Sequence, residues 1–233
     1  MHEEKISILR KKEKILKIQM SANIKNIEKI FYIREISVRD AIDYQIALNS
    51  SKDHLENYLD WAIWAVNYSF EQCKQVLHQM EEAEYPNRSF AIVFKGKLVG
   101  GIGFGPASRK DGLQITYWIS KNYIRKGLCK RALDRLVEIS LSYENINFLE
   151  IHVDRGNIAS SNIAKKAGFK LAESYSYESK GLSALGIMDV YILLTPKGKV
   201  KETLVNSSQL KSFINPLMPI NWSPQEASVL VCT

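Results

Sequence analysis

One stretch limits this chain more than any other: Tyr117-Trp-Ile-Ser-Lys-Asn-Tyr-Ile-Arg-Lys-Gly-Leu-Cys-Lys-Arg-Ala-Leu133. An apolar run of strand type ends, a loop with basic residues and one glycine follows, and a helical period begins near Leu128. Helix N-termini favour acids, because their unpaired N–H groups and the dipole are positive there. This one carries Arg125, Lys126, Lys130 and Arg131 instead. A solvated basic turn is the plain explanation. A bound anion is the more informative one, since N–H groups after a glycine form a concave nest and the helix dipole adds to it. The segment therefore marks Ile124, Arg125, Lys126, Gly127, Leu128, Cys129 and Lys130 as a candidate pyrophosphate cradle.

The elements around it read in a definite order. A strand is expected over 31–39, then a helix capped by Asp40 and running to about Asn49. A second helical stretch, 52–66, holds Tyr58, Trp61 and Trp64, and a third, about 70–83, opens at Ser69 with Gln72 three residues on. Two apolar runs around Gly96-Lys97 predict a hairpin. A strand follows over 114–119, a helix over 127–142, a strand over 148–153, and a helix over 158–167 closed by Gly168. Strands at 170–178 and 187–194 end the pattern, and Pro196 stops it. The order β-ααα-β-β-β-α-β-α-β-β predicts α/β or α+β with a mixed sheet. The glycines at 100, 101, 103 and 105 lie inside the hairpin and lack G-x-G-x-x-G spacing, so they read as close backbone packing rather than a nucleotide loop.

At 233 residues the chain suits one large domain or two small ones, taking roughly 100–200 residues per domain. Three segments are expected: a basic amphipathic extension at 1–30, a main folded domain at 31–195, and a tail at 196–233 that holds four of the six prolines. The net charge of +7 divides as +4, +1 and +2 over those segments. The middle is nearly neutral, with its positive charge gathered near 125–131, so nucleic acid is not an expected partner of the core. No run approaches the ~20 apolar residues of a membrane span, and the start lacks a secretory h-region, so a cytoplasmic protein is expected. Met20 is a second candidate start. Cys73, Cys129 and Cys232 have neither disulfide-framework nor metal-ligand spacing, and no metal is expected.

Taken together, these motifs resemble the GNAT superfamily of acetyl-CoA-dependent N-acetyltransferases, in its RimJ/RimL-like branch, over about 31–195. That branch reads Tyr-Trp-Ile/Leu, about four residues, [Gln/Arg]-x-x-Gly-x-[Gly/Ala], then a helix, and later Asn-x-x-Ser and Gly-Phe. Tyr117, Trp118, Gly127, Asn157, Ser160, Gly168 and Phe169 match, and His54-Leu55 with Leu59-Asp60-Trp61 look like its substrate-side helices. Three departures stand out: Ile124 replaces Gln or Arg, Cys129 replaces Gly or Ala, and Gln114 stands where many chains have Glu.

The resemblance implies a mixed, mostly antiparallel sheet with a V-shaped splay between strands 4 and 5. It implies direct attack of a deprotonated amine on the thioester. Trp118 and Ile119 are placed at the oxyanion, by a backbone N–H. Asn157 is placed at the pantetheine arm, and Ser160 at the leaving thiolate. Glu150 or His152, on one strand face with Asp154, is placed as base, with Glu150 the first choice. Asn157 and Ser160 also read as helix caps, and Tyr58, Trp61, Trp64 and Tyr68 as core or acceptor groove. The expected partners are acetyl-CoA and an amine, first a protein N-terminus and second an aminoglycoside or polyamine. A non-catalytic acyl-CoA-binding module is the rival, and a monomer or homodimer is expected.

Overall fold

The computed structural model describes residues 30–143 and 145–198, so nearly all of both extensions lies outside the described residues. Strand β1 (Phe31–Glu35) is shorter than expected, because Ser37 starts a capping box with Asp40 and turns the chain into a 3-10 turn, Val38–Asp40. Asp40 therefore does not cap the next helix, α1 (Ala41–Asn49), with its side chain. Its carboxylate accepts from Arg34 at 2.8 Å and from the Ser37 N–H at 3.0 Å. The expected single helix over 52–66 is two short turns, α2 (Lys52–Leu55) and α3 (Ala62–Ala65). Helix α4 (Phe70–Glu82) follows, with the predicted Ser69/Gln72 capping box in place.

The remaining elements are β2 (Arg88–Phe94), β3 (Lys97–Pro106), β4 (Gly112–Ile119), α5 (Leu128–Ser140), β5 (Phe148–Asp154), α6 (Ile158–Lys166), β6 (Lys170–Ser176) and β7 (Ile187–Leu194). Pro196 ends the strand pattern but opens a helical turn, with the Thr195 hydroxyl accepting from the Gly198 N–H at 3.1 Å.

The strands form one sheet in the order β1-β2-β3-β4-β5-β7-β6. β4 and β5 run parallel, and every other neighbouring pair is antiparallel. Adjacent residues of β4 show how the layers lie. The Tyr117 hydroxyl bonds to Ser160 on α6, whereas the Trp118 ring meets Tyr44 on α1 edge-on at 5.7 Å. Successive side chains of a strand point to opposite faces, so α1 and α6 cover opposite faces of the sheet. Helix α5 buries Leu128, Ala132, Leu133 and Leu136 along one stripe at helical spacing.

The glycine-rich β3 is a strand, as its hairpin context predicts, and its glycines permit close packing. A Cβ on Gly100 would stand 2.3 Å from the Trp118 carbonyl oxygen, and one on Gly103 would stand 2.5 Å from that of Arg88. Both contacts are too short to exist, so β3 sits tightly between its neighbours because it lacks side chains there.

Candidate active site

The parallel pairing of β4 with β5 covers three register partners, the last being Gln114 with Glu150. β4 then runs on to Ile119 and β5 to Asp154 without pairing to each other. The two strands thus part in a V. The Ser120 N–H bonds to the Val99 carbonyl of β3 at 2.8 Å, and the Trp118 carbonyl lies over Gly100 on that same side. N–H groups alternate along a strand, so Trp118 turns its peptide groups to β3, while Tyr117 and Ile119 turn theirs into the V. Of the two residues expected at the oxyanion, Ile119 therefore offers its N–H to the opening, and Trp118 supplies a buried ring to the α1 side.

At the end of β4 the chain makes a 3-10 turn, Lys121–Tyr123, and reaches α5. Arg125 (φ 61°) and Gly127 (φ 71°) both adopt left-handed backbone around Lys126. That conformation suits glycine and is uncommon for arginine. Gly127 occupies the N-cap position and has no side-chain cap bond, in contrast with Ser69 on α4 and Asn157 on α6. The first intrahelical bond reaching back to this cap is from the Arg131 N–H to the Gly127 carbonyl, at 3.1 Å. The N–H groups of Leu128, Cys129 and Lys130 therefore precede the helical ladder.

The basic side chains are less available than their sequence positions imply. Lys130 pairs with Asp134 at 2.6 Å, and the Arg131 guanidinium stacks 4.0 Å from the Phe31 ring. Lys126 donates to the Asn122 carbonyl at 2.9 Å and lies over the Tyr123 ring. In the candidate cradle, backbone N–H groups and the helix dipole add to the charge of the exposed Arg125 and Lys126. Cys129 is buried, and Ile124 lies half exposed in the loop.

On the α6 side of the V, the Asn157 side chain is the helix N-cap, accepting from the Ser160 N–H at 3.0 Å. Ser160 is not a cap. Its hydroxyl lies 3.0 Å from the Tyr117 hydroxyl, which also contacts the Ser160 carbonyl at 3.1 Å. Asn157 and Ser160 are both nearly inaccessible.

The sequence matches the family described as Acetyltransferase (GNAT) domain over residues 31–170. This chain belongs to the GNAT acetyltransferase family. A curated relative, the uncharacterized N-acetyltransferase YjdG of Bacillus subtilis (strain 168), is 31% identical over 86 residues, which are 36% of this chain. The match spans about half of that relative, 51% of its length. Among solved structures, RimL, a ribosomal L7/L12 alpha-N-protein acetyltransferase in complex with coenzyme A, superposes with a TM-score of 0.65 at 15% identity, over 72% of this chain and 96% of its own. The Microcin C7 self immunity acetyltransferase MccE, in complex with acetyl-CoA and AMP, gives 0.64 at 16% identity, over 71% and 93%. At those identities the likeness concerns the fold.

The GNAT domain here carries a polar network on the α1 face of β5. Glu150 is 0% exposed. Its oxygens accept from the Ser108 N–H at 2.7 Å and the Ser108 hydroxyl at 3.0 Å, and one meets His152 Nε2 at 3.1 Å. Burial pushes the carboxyl up, yet the bond and charge of His152 and the two bonds from Ser108 outweigh it and leave it below the ordinary carboxylate value. His152 Nδ1 lies 3.2 Å from the Tyr175 hydroxyl of β6. The expected base is thus sealed from solvent, and His152, past the last β4–β5 register partner on the same strand face, links it to the Tyr175 hydroxyl.

A strap between β6 and β7 closes this face. Asp154 accepts from the Gly156, Leu185 and Gly186 N–H groups and from the Tyr177 hydroxyl, at 2.7–3.1 Å. Asp60 accepts from the Ser179 hydroxyl and the Lys180 N–H. Sequence reading missed this strap, because its anchors are single acids far apart in the chain. Tyr58, Trp61 and Tyr68 pack against the core, while Trp64 is 63% exposed. Among the described residues, the buried indole N–H groups of Trp61 and Trp118 have no hydrogen-bond partner. The described residues contain no cluster of metal-ligating side chains, and no described helix is long and apolar enough to cross a membrane.

Proposed function

We propose that this GNAT chain transfers the acetyl group of acetyl-CoA to a primary amine, foremost the α-amine of a protein N-terminus. One observation carries this reading: β4 and β5 part after Gln114 and Glu150, and the uncapped N-terminus of α5 follows directly from the parted strand. An open strand edge followed by an uncapped helix matches a ligand with a polar arm and a pyrophosphate. The acceptor class is supported by the likeness to RimL, whose name assigns it ribosomal L7/L12 as an alpha-N-protein acetyltransferase. The catalytic unit in this reading is 31–195, with 1–30 and 196–233 as extensions, in a cytoplasmic protein.

The roles follow from placement. The N–H groups of Leu128, Cys129 and Lys130, with Ile124, Arg125, Lys126 and Gly127 shaping the loop, hold the pyrophosphate. Ile119 N–H receives the thioester oxygen as it gains charge, a contact of the kind worth about 10²–10³ in kcat. Asn157 positions the start of α6 beside the pantetheine arm. Ser160, backed by Tyr117, protonates or hydrogen-bonds the leaving thiolate, whose proton affinity is modest, with a pKa near ~8.5 by analogy with a free thiol. Gln114 cannot take a proton, but its register partner Glu150 brings a carboxylate to the same level of the sheet.

The test is acetylation of a peptide with a free N-terminus and blocked lysines, read by mass spectrometry. Acetyl on the α-nitrogen supports the reading. Acetylation of polyamines or aminoglycosides with no peptide product replaces the acceptor. Tight acetyl-CoA binding with no product from any amine favours a binding module.

A further inference from the structure

We propose that Tyr175, His152 and Glu150 form a proton relay that strips the acceptor ammonium, with the Tyr175 oxygen as its open end. This inference rests on the acetyl-transfer reading, and it adds Tyr175, which no part of that reading uses, to the two expected base candidates, Glu150 and His152.

For a neutral His152 the hydrogen-bond directions follow from Glu150. Glu150 stays ionised, so both of its oxygens accept and neither donates. His152 Nε2, 3.1 Å from one of them, must therefore carry a proton. In a neutral imidazole the other nitrogen is then bare, so Nδ1 accepts. Its neighbour at 3.2 Å is the Tyr175 hydroxyl, which in this tautomer donates to it. Burial and the charges of Glu150 and Glu173 push the Tyr175 phenol up to about 12, so the donor proton is present at any working pH. With its one hydrogen committed to His152, the Tyr175 oxygen has lone pairs left to accept from an incoming N–H.

The location fits. Glu150 and His152 share the α1 face of β5, and His152 lies past the last β4–β5 register partners, where the strands have parted. The His152 side chain is 12% exposed and that of Glu150 is 0% exposed, so the network runs from the protein interior outward. Ser160 and Tyr117 stand on the other face, so the base and the acid approach the opening from opposite sides. The titratable groups in contact with His152 are Glu150 at Nε2 and Tyr175 at Nδ1, and Asp154 shares its strand face. Asp154 is occupied by the strap, and Glu150 is the charge in direct contact.

The step balances. The ammonium N–H bond breaks and a new O–H bond forms on Tyr175. The former Tyr175 proton passes to His152 Nδ1, and the imidazolium pairs with Glu150. The neutral amine attacks the thioester carbon, and the second N–H proton leaves with the thiolate as CoA thiol. The imidazolium returns its proton to solvent. Tyr175 is the catalytic residue in this scheme, and His152 and Glu150 are positioning residues that act through it.

Two measurements on the full chain decide it. The first is kcat/KM against pH for wild type, Tyr175→Phe and His152→Gln, with an N-terminal peptide. A general base is worth about 10²–10⁴ in rate, so each variant should lose about 100-fold near pH 6–7. The loss should shrink to a few-fold at about pH 9, where an α-amine of pKa about 8 deprotonates unaided. Acetyl-CoA affinity should not change. A loss equal at both pH values, or none, overturns the relay. The second is the ¹⁵N spectrum of His152, which should show neutral imidazole protonated on Nε2. A proton on Nδ1 overturns the relay whether or not turnover is found. If wild type acetylates no amine, the acetyl-transfer reading fails, and the tautomer alone decides the hydrogen-bond network.

Discussion

The Tyr117 hydroxyl of β4 and the Ser160 hydroxyl of α6 lie 3.0 Å apart and tie the helix to the parted strand. The pair gives Ser160 a role that capping does not explain, since Asn157 already caps α6. Ser160→Ala should therefore lower kcat about 10- to 100-fold, at or below the low end for a positioned acid, and leave acetyl-CoA affinity intact. Steady-state kinetics with calorimetric binding checks this. Equal losses in kcat and affinity would place Ser160 in binding alone.

Asn157 has a separate signature. Its side chain satisfies a first-turn N–H of α6, and truncating such a cap costs about 0.5–2 kcal/mol. Asn157→Ala should lower the denaturant midpoint by that amount. Asn157→Asp, which keeps the acceptor oxygen, should restore stability, so any residual loss in acetyl-CoA affinity would support the proposed contact with the pantetheine arm.

In the proposed cradle, backbone is expected to count for more than side-chain charge. Lys130 and Arg131 are engaged by Asp134 and Phe31, so Lys130→Ala should change CoA affinity little. The Arg125→Ala, Lys126→Ala double variant should weaken it about 10-fold, or about 1.4 kcal/mol. Gly127→Val should weaken it more. There is open space for the side chain, but the left-handed backbone at φ 71° resists it. Isothermal titration with CoA ranks the three.

Glu150 also marks the acid stability of the fold. Its folded carboxyl titrates below the ordinary value of 4.5. A depressed acid contributes stability that is fully present above the unfolded value and lost as pH falls through the folded one. Wild type should lose this increment progressively below about pH 4.5. Glu150→Gln should be destabilised at neutral pH, since its amide would face donors on Ser108 and His152, and the gap to wild type should close as pH falls. Thermal unfolding from about pH 3 to pH 7 shows whether the two curves converge.

Much of this was legible in the chain. The helical period from Leu128 and the Gly127 turn locate α5 and its N-terminus closely, and the Asn157 and Ser160 spacing locates α6. Local chemistry sufficed there, because each feature is built from neighbours in sequence. The 52–66 stretch reads as one helix because its aromatics have helical spacing. Its backbone instead forms two turns, and the bend between them offers Asn57 and Asp60 to the strap. From the sequence, Lys130 and Arg131 count with Arg125 and Lys126 as charge around a pyrophosphate, since Asp134 and Phe31 become partners only when α5 and β1 are folded. The Tyr175–His152–Glu150 line joins two strands separated by a helix, and no local pattern announces it. His152 was a candidate from strand alternation, whereas Tyr175 required the sheet.

The strap offers a test of the acceptor side. Asp154 is buried with three backbone N–H groups and a phenol pointed at it. Asp154→Ala leaves those donors unpaired, at about 1–3 kcal/mol for each one kept from water. Amide exchange should quicken over 177–186, and the acceptor KM should rise while acetyl-CoA affinity holds. Slow exchange in the variant would mean that Asp60 and Asn57 hold the strap alone.

The most direct measurement of the central claim is CoA-thiol release from acetyl-CoA by the full chain, against peptides with varied N-termini, polyamines and aminoglycosides. Saturable release with peptide α-amines, abolished by N-terminal blocking, is the predicted result. Acetyl-CoA binding without thiol release from any of these amines would contradict it.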